Sequence, residues 1–134
     1  YRDFGKFVKV KTLPPCDFFV PNPGFIVEFD ETQHFTLPRK LTLELYPNNL
    51  QLGFNKERWI YLCAKFHRQD NNPKYRDEQR AWYDTLRDFL PLLKGFYPTI
   101  RLFAKDFVWC SLNPDNSLHL KKFEKIISIY YKRG

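Results

Sequence analysis

The chain has 134 residues, of which 43% are hydrophobic and 19% aromatic, so composition argues against disorder and for one domain with a substantial core. No apolar run approaches the length of a membrane-spanning helix, and no signal peptide opens the chain. The formal net charge of +7 favours an anionic partner.

Two compositional features bear on where the chain works. It contains no Met, even at position 1, so we expect residues 1–134 to be a single domain excised from a longer protein, with further domains or a homodimer as possible context. Its three cysteines, Cys16, Cys63 and Cys110, are odd in number and widely spaced. This pattern argues against a disulfide framework and predicts a reducing, cytoplasmic compartment.

The N-terminal third predicts three strands. Residues 4–11 (FGKFVKVK) alternate apolar and charged side chains, which is typical of a half-exposed strand. Residues 17–20 (DFFV) and 24–30 (GFIVEFD) flank a turn rich in Pro and Gly, and we expect them to form a hairpin. Residues 39–46 (RKLTLELY) are ambiguous between helix and strand.

The remainder predicts three helices and one strand. Residues 57–68 place apolar side chains at helical spacing, and residues 76–95 form the clearest helix, with Trp82, Leu86 and Phe89 facing inward. Residues 98–109 indicate a strand, and a last helix follows residues 111–117. The order β, β, β, α, α, β, α predicts a mixed α/β domain.

Three carboxylates converge in the predicted hairpin. Glu28 and Asp30 are two apart on one strand and share a face, and Asp17 begins the neighbouring antiparallel strand. Such a cluster is repulsive unless it is protonated or neutralised, and Mg²⁺ or Mn²⁺ is the usual partner of an oxygen-rich site. The alternative is that these acids are simply solvated at strand ends.

The stretch CDFFVPNPGFIVEFDETQH resembles the PD-(D/E)XK, restriction-endonuclease-like superfamily. It is most similar to the branch of the very-short-patch-repair endonucleases, in which an Asp opens one strand and an acidic strand ending in Gln-His follows. Downstream matches are Trp59, the pair Arg76 and Asp77, and Arg101, so the resemblance covers residues 14–108. It implies a mixed sheet of about four strands flanked by helices.

The resemblance also implies an activity and a set of site residues. It implies a Mg²⁺- or Mn²⁺-dependent DNA endonuclease with Asp17, Glu28 and Asp30 as metal ligands and Gln33 and His34 near the scissile phosphate. The pKa range of His34 suits proton transfer, although a strand-end histidine that caps a carbonyl is the alternative. The chain departs from the superfamily in having Asp30 where a Lys is usual.

Basic side chains suggest where DNA would bind. Arg76, Arg80, Tyr83 and Arg87 recur at helical spacing and form a stripe that could follow phosphates. Asp77, Asp84 and Asp88 mark an adjoining acidic stripe, so the alternative is a solvated helix face with local ion pairs. Arg39 and Lys40 could extend this surface together with lysines of the first strand. Tyr46, Phe54 and Tyr75 are candidates for base stacking; the three Trp residues are better core candidates.

Two other functions and one other metal site remain open. The chain could be a nucleic-acid-binding module that has lost cleavage, or a basic protein-interaction domain. Cys63 and His67 could form half of a zinc site, with Cys110 and His119 completing it, but buried thiols are the plainer interpretation because structural zinc sites show two close-spaced pairs.

Overall fold

The computed structural model describes residues 12–131, which form three strands and four α-helices. The strands are β1 (Phe18–Val20), β2 (Phe25–Asp30) and β3 (Ile100–Phe103). The helices are α1 (Leu37–Glu44), α2 (Lys56–Phe66), α3 (Arg76–Leu93) and α4 (Ser117–Tyr131). The chain is therefore a mixed α/β protein.

Side-chain caps explain where two of the helices begin. The hydroxyl of Thr36 accepts a hydrogen bond from the Arg39 backbone N–H at the start of α1, and the Asn55 side chain does the same for Arg58 at the start of α2. Helix α3 ends shortly before Gly95, which takes a positive φ of 78° that a glycine adopts without steric cost. Between residues 12 and 131, no helix is both long and apolar enough to cross a membrane.

The sheet has the order β1-β2-β3 and mixed direction. β1 pairs antiparallel with β2, and Phe18 lies opposite Val27. β2 pairs parallel with β3, and Glu28 lies beside Arg101. Because strand side chains alternate between faces, Glu28 and Asp30 share one face of the sheet with Arg101.

The two faces of the sheet are covered differently. One face is apolar: Phe25, Val27, Ile100 and Leu102 form a buried cluster against which Ile126 of α4 packs. The other face carries the charged side chains of β2 and β3. A second apolar cluster lies beside it and is built from α1, α2, their flanking segments and the end of β3, with the members Phe35, Leu43, Tyr46, Phe54, Trp59, Leu62, Cys63 and Phe103.

The structure confirms most of the predicted elements, resolves one ambiguity and changes two expectations. The ambiguous stretch at residues 39–46 lies largely in helix α1. The strand predicted over residues 98–109 ends at Phe103 and is followed by 3₁₀ turns. The inward face predicted for α3 is incomplete: Phe89 packs against the second apolar cluster, but Ala81, Asp84 and Asp88 are more deeply buried than Trp82, Leu86 and Phe89. The first predicted strand, residues 4–11, lies outside the described residues.

Gly53 provides a test of how the α1–α2 connection docks on the sheet. Its backbone bridges to Ile100 in parallel, and a Cβ added there would lie 2.5 Å from the Thr99 carbonyl oxygen. Because that neighbour is backbone, Gly53→Ala should lower the free energy of unfolding by about 1–3 kcal/mol. Urea denaturation measures the loss. Gln51→Ala, at an exposed position two residues earlier, should change the free energy of unfolding by less than about 0.5 kcal/mol. Equal effects of the two substitutions would contradict the docking of this connection on the sheet.

Candidate functional site

Arg101 is fully buried and is surrounded by acids from β2 and α3. Its Nε donates to Asp88 Oδ1 at 2.8 Å, and its Nη1 donates to Asp30 Oδ1 at 2.9 Å and to Asp84 Oδ1 at 3.4 Å. Its Nη2 donates to the Asp84 backbone carbonyl at 3.0 Å. A guanidinium group removed from water is stable only with such compensation, so Arg101 ties α3 to the sheet.

Helix α1 contributes a second buried guanidinium to the same acids. Arg39 Nη2 donates to Asp88 Oδ2 at 2.7 Å, and Arg39 Nη1 donates to the Tyr46 hydroxyl at 2.8 Å. That hydroxyl in turn donates to Asp88 Oδ2 at 2.7 Å. We call Arg39, Arg101 and the acids Asp30, Asp84 and Asp88 the buried ionic cluster.

Electrostatics inside the buried ionic cluster favour the charged forms of Arg101 and Asp84. Burial opposes the charged form of Arg101, but the surrounding carboxylates, Asp30 foremost, outweigh it and raise its pKa well above the usual range. Burial likewise opposes ionisation of Asp84, and the charge of Arg101 with the hydrogen bond from His34 holds the pKa of Asp84 well below its usual range. With two arginines and three aspartates the cluster is one positive charge short of neutrality.

His34 lies where it can supply that charge. Its Nδ1 is 3.2 Å from Asp84 Oδ2 and 3.6 Å from Asp30 Oδ1. Burial lowers the pKa of His34, but the hydrogen bond to Asp84 and the charges of Asp84 and Asp30 overcome this and raise the pKa above 6.5. The Nδ1 contact leaves Nε2 as the nitrogen that is available for proton exchange in the adjoining cleft.

Asp30, His34 and Asp84 are also close enough together to share a cation. One potential ligand atom of each lies within 4.8 Å of the others. However, Arg101 donates to both carboxylates and Trp59 Nε1 donates to Asp30 Oδ2 at 2.7 Å. A metal ion would have to compete with a buried guanidinium for the same oxygens. These three residues are therefore better described as part of an ion-paired, hydrogen-bonded network than as a cation site.

Asp17 and Glu28 form a separate carboxylate pair across β1 and β2. The Asp17 backbone N–H lies 3.4 Å from Glu28 Oε1, and the Phe29 N–H donates to Asp17 Oδ2 at 2.7 Å. Asp17 is exposed, whereas Glu28 is buried and contacts Arg87 Nε at 3.1 Å. Burial raises the pKa of Glu28 to about 7, although the charge of Arg87 opposes this shift.

A basic cleft with a volume of about 310 Å³ lies next to this pair. One face of α3 forms its wall, and the loops before β1 and α3 close it. The side chains that line it include Pro14, His34, Arg76, Arg80, Tyr83 and Arg87. The Tyr83 hydroxyl is buried with no hydrogen-bond partner among the described residues, whereas Arg87 Nε faces Glu28 Oε1 at 3.1 Å. The cleft therefore offers positive charge and unused hydrogen-bonding capacity to an anion.

The structure divides the predicted metal ligands. Asp17 and Glu28 lie side by side as predicted, but Asp30 belongs to the buried ionic cluster. Gln33 is exposed, and its carbonyl accepts from Arg80 Nη1 at 3.0 Å, which ties the end of β2 to α3. Of the predicted DNA-binding residues, Arg76, Arg80 and Arg87 line the cleft, and Lys40 pairs with Glu44 at 3.2 Å on the surface of α1.

Several sequence-based assignments need correction. Arg39 cannot contact DNA phosphates, because it is 1% exposed and its guanidinium is held by Asp88 and Tyr46. Tyr46 and Phe54, predicted to stack on bases, are buried in the core. The proposed zinc set does not form: Cys63 is buried, and no group of three or more ligands in residues 12–131 includes a cysteine.

Sequence reasoning missed the acids that matter most to His34 and Arg101. Asp84 and Asp88 were assigned with Asp77 to a solvated acidic stripe of α3, yet both are 1% exposed. A signal was present: these acids fall on the helix face that neighbours the arginine stripe, and Arg101 lies in the middle of an otherwise apolar strand. A strand arginine without visible partners implies acids elsewhere in the chain.

Comparison with protein-family models, curated proteins and solved structures finds no match to this chain. Function must therefore be argued from the residues and their geometry.

Arg101 should carry a large part of the stability. Arg101→Met removes the guanidinium that three buried carboxylates share and should lower the free energy of unfolding by about 3–5 kcal/mol near pH 7. Unpaired buried carboxylates have raised pKa values in the folded state, so the deficit should shrink as the pH falls toward about 5. Urea denaturation at both pH values measures this.

Arg58→Met is the matched control for Arg101→Met. Arg58 pairs with Asp106 at the surface, with side chains 39% and 34% exposed, and its loss should cost no more than about 1 kcal/mol at either pH. Equal losses in the two variants would show that burial of the Arg101 pairs does not determine stability.

His34 should titrate above its usual pKa of 6.5, and Asp84→Asn should lower that pKa, because burial then acts with less opposition. Imidazole signals followed by NMR across pH measure both values. Because the folded-state pKa is raised, His34 stabilises the protein fully below about pH 6.5, and this contribution is lost as the pH rises through the folded-state pKa. Asp106→Asn, far along the chain from His34, is the control; an unchanged titration in Asp84→Asn would refute the pairing.

Proposed function

We propose that the chain is a metal-dependent nuclease that hydrolyses phosphodiester bonds in DNA. The observation that carries this proposal is the position of the Asp17–Glu28 carboxylate pair beside a basic cleft that also contains His34. Hydrolysis of a phosphodiester needs a group that donates or accepts protons, positively charged groups that stabilise the charge on the phosphoryl oxygens, and a site that activates water. Each requirement has a counterpart here.

The carboxylate pair suits Mg²⁺ or Mn²⁺. Asp17 Oδ1 and Glu28 Oε2 accept no hydrogen bond from the residues described, so each acid keeps an oxygen for a hard cation. Asp17 and Glu28 would hold the ion; Asp30, predicted as a third ligand, is engaged by Arg101. When bound, such an ion supplies a polarised phosphoryl oxygen and an activated water.

The chain's own residues divide the remaining tasks. Arg76 and Arg80 line the cleft and are 48% and 18% exposed at their side chains, so they can contact phosphate while retaining their ion pairs with Asp70. His34 is held through Nδ1 by Asp84, which raises its pKa and favours the protonated form, and Nε2 can deliver that proton to a leaving oxygen. Asp84 therefore positions His34 and sets its charge.

The fold and the compartment are part of the same proposal. The three described strands fit within a restriction-endonuclease-like sheet of about four strands, in which an acidic strand, β2, pairs with a strand that carries a central arginine. All three cysteines are free, which agrees with a reducing, cytoplasmic compartment.

A second candidate is a DNA-binding module of the same fold without cleavage. It is favoured by one observation: the superfamily's usual lysine position holds Asp30, and Arg101 and Trp59 bind that carboxylate inside the protein. Metal-dependent cleavage separates the two candidates, because both predict salt-sensitive DNA binding.

The metal site can be tested by calorimetry with Asp17→Asn and Glu28→Gln, which preserve side-chain shape. Each should weaken Mg²⁺ or Mn²⁺ binding at least about 10-fold by removing a ligand charge. Nicking of supercoiled DNA in the same samples should depend on the metal and fall to background in both variants.

Asp115→Asn is the control for these substitutions. Asp115 is exposed and lies in the turn before α4, so its loss should leave metal binding and nicking unchanged. Metal binding with no nicking by the unmodified chain would favour the binding module. If the unmodified chain bound no metal, the nuclease proposal would fail.

A further inference from the structure

A second cavity, of about 450 Å³, lies on the apolar face of the sheet beneath α4. Its walls are apolar and aromatic, and its positively charged side chains come from α4. The side chains that define it are Leu102, Phe107, Trp109, Ile126, Lys122 and Lys125. We call it the α4 cavity. The nuclease chemistry proposed above makes no use of it.

The α4 cavity presents positive charge above an aromatic wall. Lys122 and Lys125 are exposed, and Lys122 Nζ lies 4.4 Å from the centre of the Phe107 ring, a cation–π contact that holds the ammonium over the aromatic wall. The one acid of the lining, Asp106, is engaged by both Nη atoms of Arg58. Its charge is therefore balanced, and the lysines dominate the local field.

The aromatic wall is held rigidly. Trp109 Nε1 donates to the Ala104 carbonyl at 3.0 Å, and the Trp109 ring packs edge-to-face against Phe29 at 5.1 Å and Phe107 at 5.7 Å. Trp109 and Phe107 are nonetheless only half-buried. A rigid aromatic surface with free area beside two lysines matches the two parts of a nucleotide, a flat base and a phosphate.

The α4 cavity and the basic cleft are each built partly from a segment that follows one of two adjacent strands of the sheet. Asp30 and Phe103 are register partners at the carboxyl ends of the parallel strands β2 and β3. His34 of the cleft follows β2, and Phe107 and Trp109 of the α4 cavity follow β3. Each site therefore includes residues that follow the carboxyl end of one of two neighbouring parallel strands.

We propose that the α4 cavity binds an unpaired nucleotide of the DNA whose backbone lies in the basic cleft, with its base against Trp109 and Phe107 and its phosphate at Lys122 and Lys125. This inference rests on the proposed function and extends it to the substrate class. The preferred substrate has a single-stranded segment beside the cleaved bond, because a base in an intact duplex is stacked and cannot enter the cavity.

The test compares a blunt duplex with the same duplex carrying a short single-stranded overhang, both in the absence of metal. Fluorescence anisotropy should show that the unmodified chain binds the overhang duplex at least about 5-fold more tightly, the lower end expected for stacking of one base. Lys122→Ala with Lys125→Ala should remove this preference. The loss of this phosphate contact should also reduce the slope of log affinity against log salt by about 0.7 for the overhang duplex.

Two further variants complete the design. Lys94→Ala with Lys121→Ala removes the same charge from exposed positions outside the cavity and should retain the preference. Trp109→Leu should lose the preference for the overhang duplex and bind the blunt duplex as tightly as the unmodified chain does. The thermal midpoint of this variant should also be measured, because the Trp109 ring packs on Phe29.

The outcomes separate the two proposals. A preference that survives in both cavity variants, or the absence of a preference in a chain that binds blunt duplex, overturns the α4 cavity assignment and leaves the nuclease proposal standing. If the unmodified chain binds neither duplex, both proposals fail. A preference lost equally in the control lysine variant would show that net charge alone produces it, and this too would overturn the assignment.

Discussion

A guanidinium group with no exposed surface lies at the centre of this protein, and the surrounding structure is arranged to keep it charged. Arg101 receives one carboxylate from β2 and two from α3, and a backbone carbonyl of α3 completes its hydrogen bonds. Removing one partner from such a network leaves an uncompensated charge in a medium that solvates it poorly. The position of α3 on the sheet is therefore set by charge balance as much as by apolar contact.

The two acids of β2 illustrate how neighbouring residues of one strand acquire different tasks. Glu28 and Asp30 project from the same face, two residues apart, yet Asp30 ends in the interior against Arg101 and Trp59, and Glu28 ends beside Asp17 and Arg87. The difference follows from what covers each position: two buried side chains meet Asp30, whereas Glu28 lies next to an exposed acid at the start of β1.

Local patterns were sufficient for much of the fold and for part of the site. Alternation along β2 correctly placed Glu28 and Asp30 on one face, and the turn at residues 21–24 correctly implied antiparallel pairing with β1. Helical spacing also grouped the three arginines and Tyr83 that line the cleft. These features depend on neighbours in sequence, which a pattern can represent.

The failures share a physical origin. Arg39, Asp84 and Asp88 are charged residues that sequence reasoning places at the surface, and each is buried because its counter-charge comes from an element far along the chain. The predicted inward face of α3 was incomplete for the same reason: it held Phe89, which packs on Tyr46, but left out the acids that find buried partners. Long-range charge pairing cannot be read from periodicity.

Helix α3 carries two functions on two faces, and this restricts how the chain can vary. Asp84 and Asp88 face the interior, and Arg76, Arg80 and Tyr83 face the cleft. Since each residue of an α-helix turns the next by about 100°, inserting or deleting one residue near the middle of α3 would rotate one set out of place relative to the other. Insertions and deletions in related sequences should therefore occur in the loop before α3, residues 68–75, and be rare within the helix itself. Diversification of the wall that α3 gives to the cleft is therefore left to substitution alone.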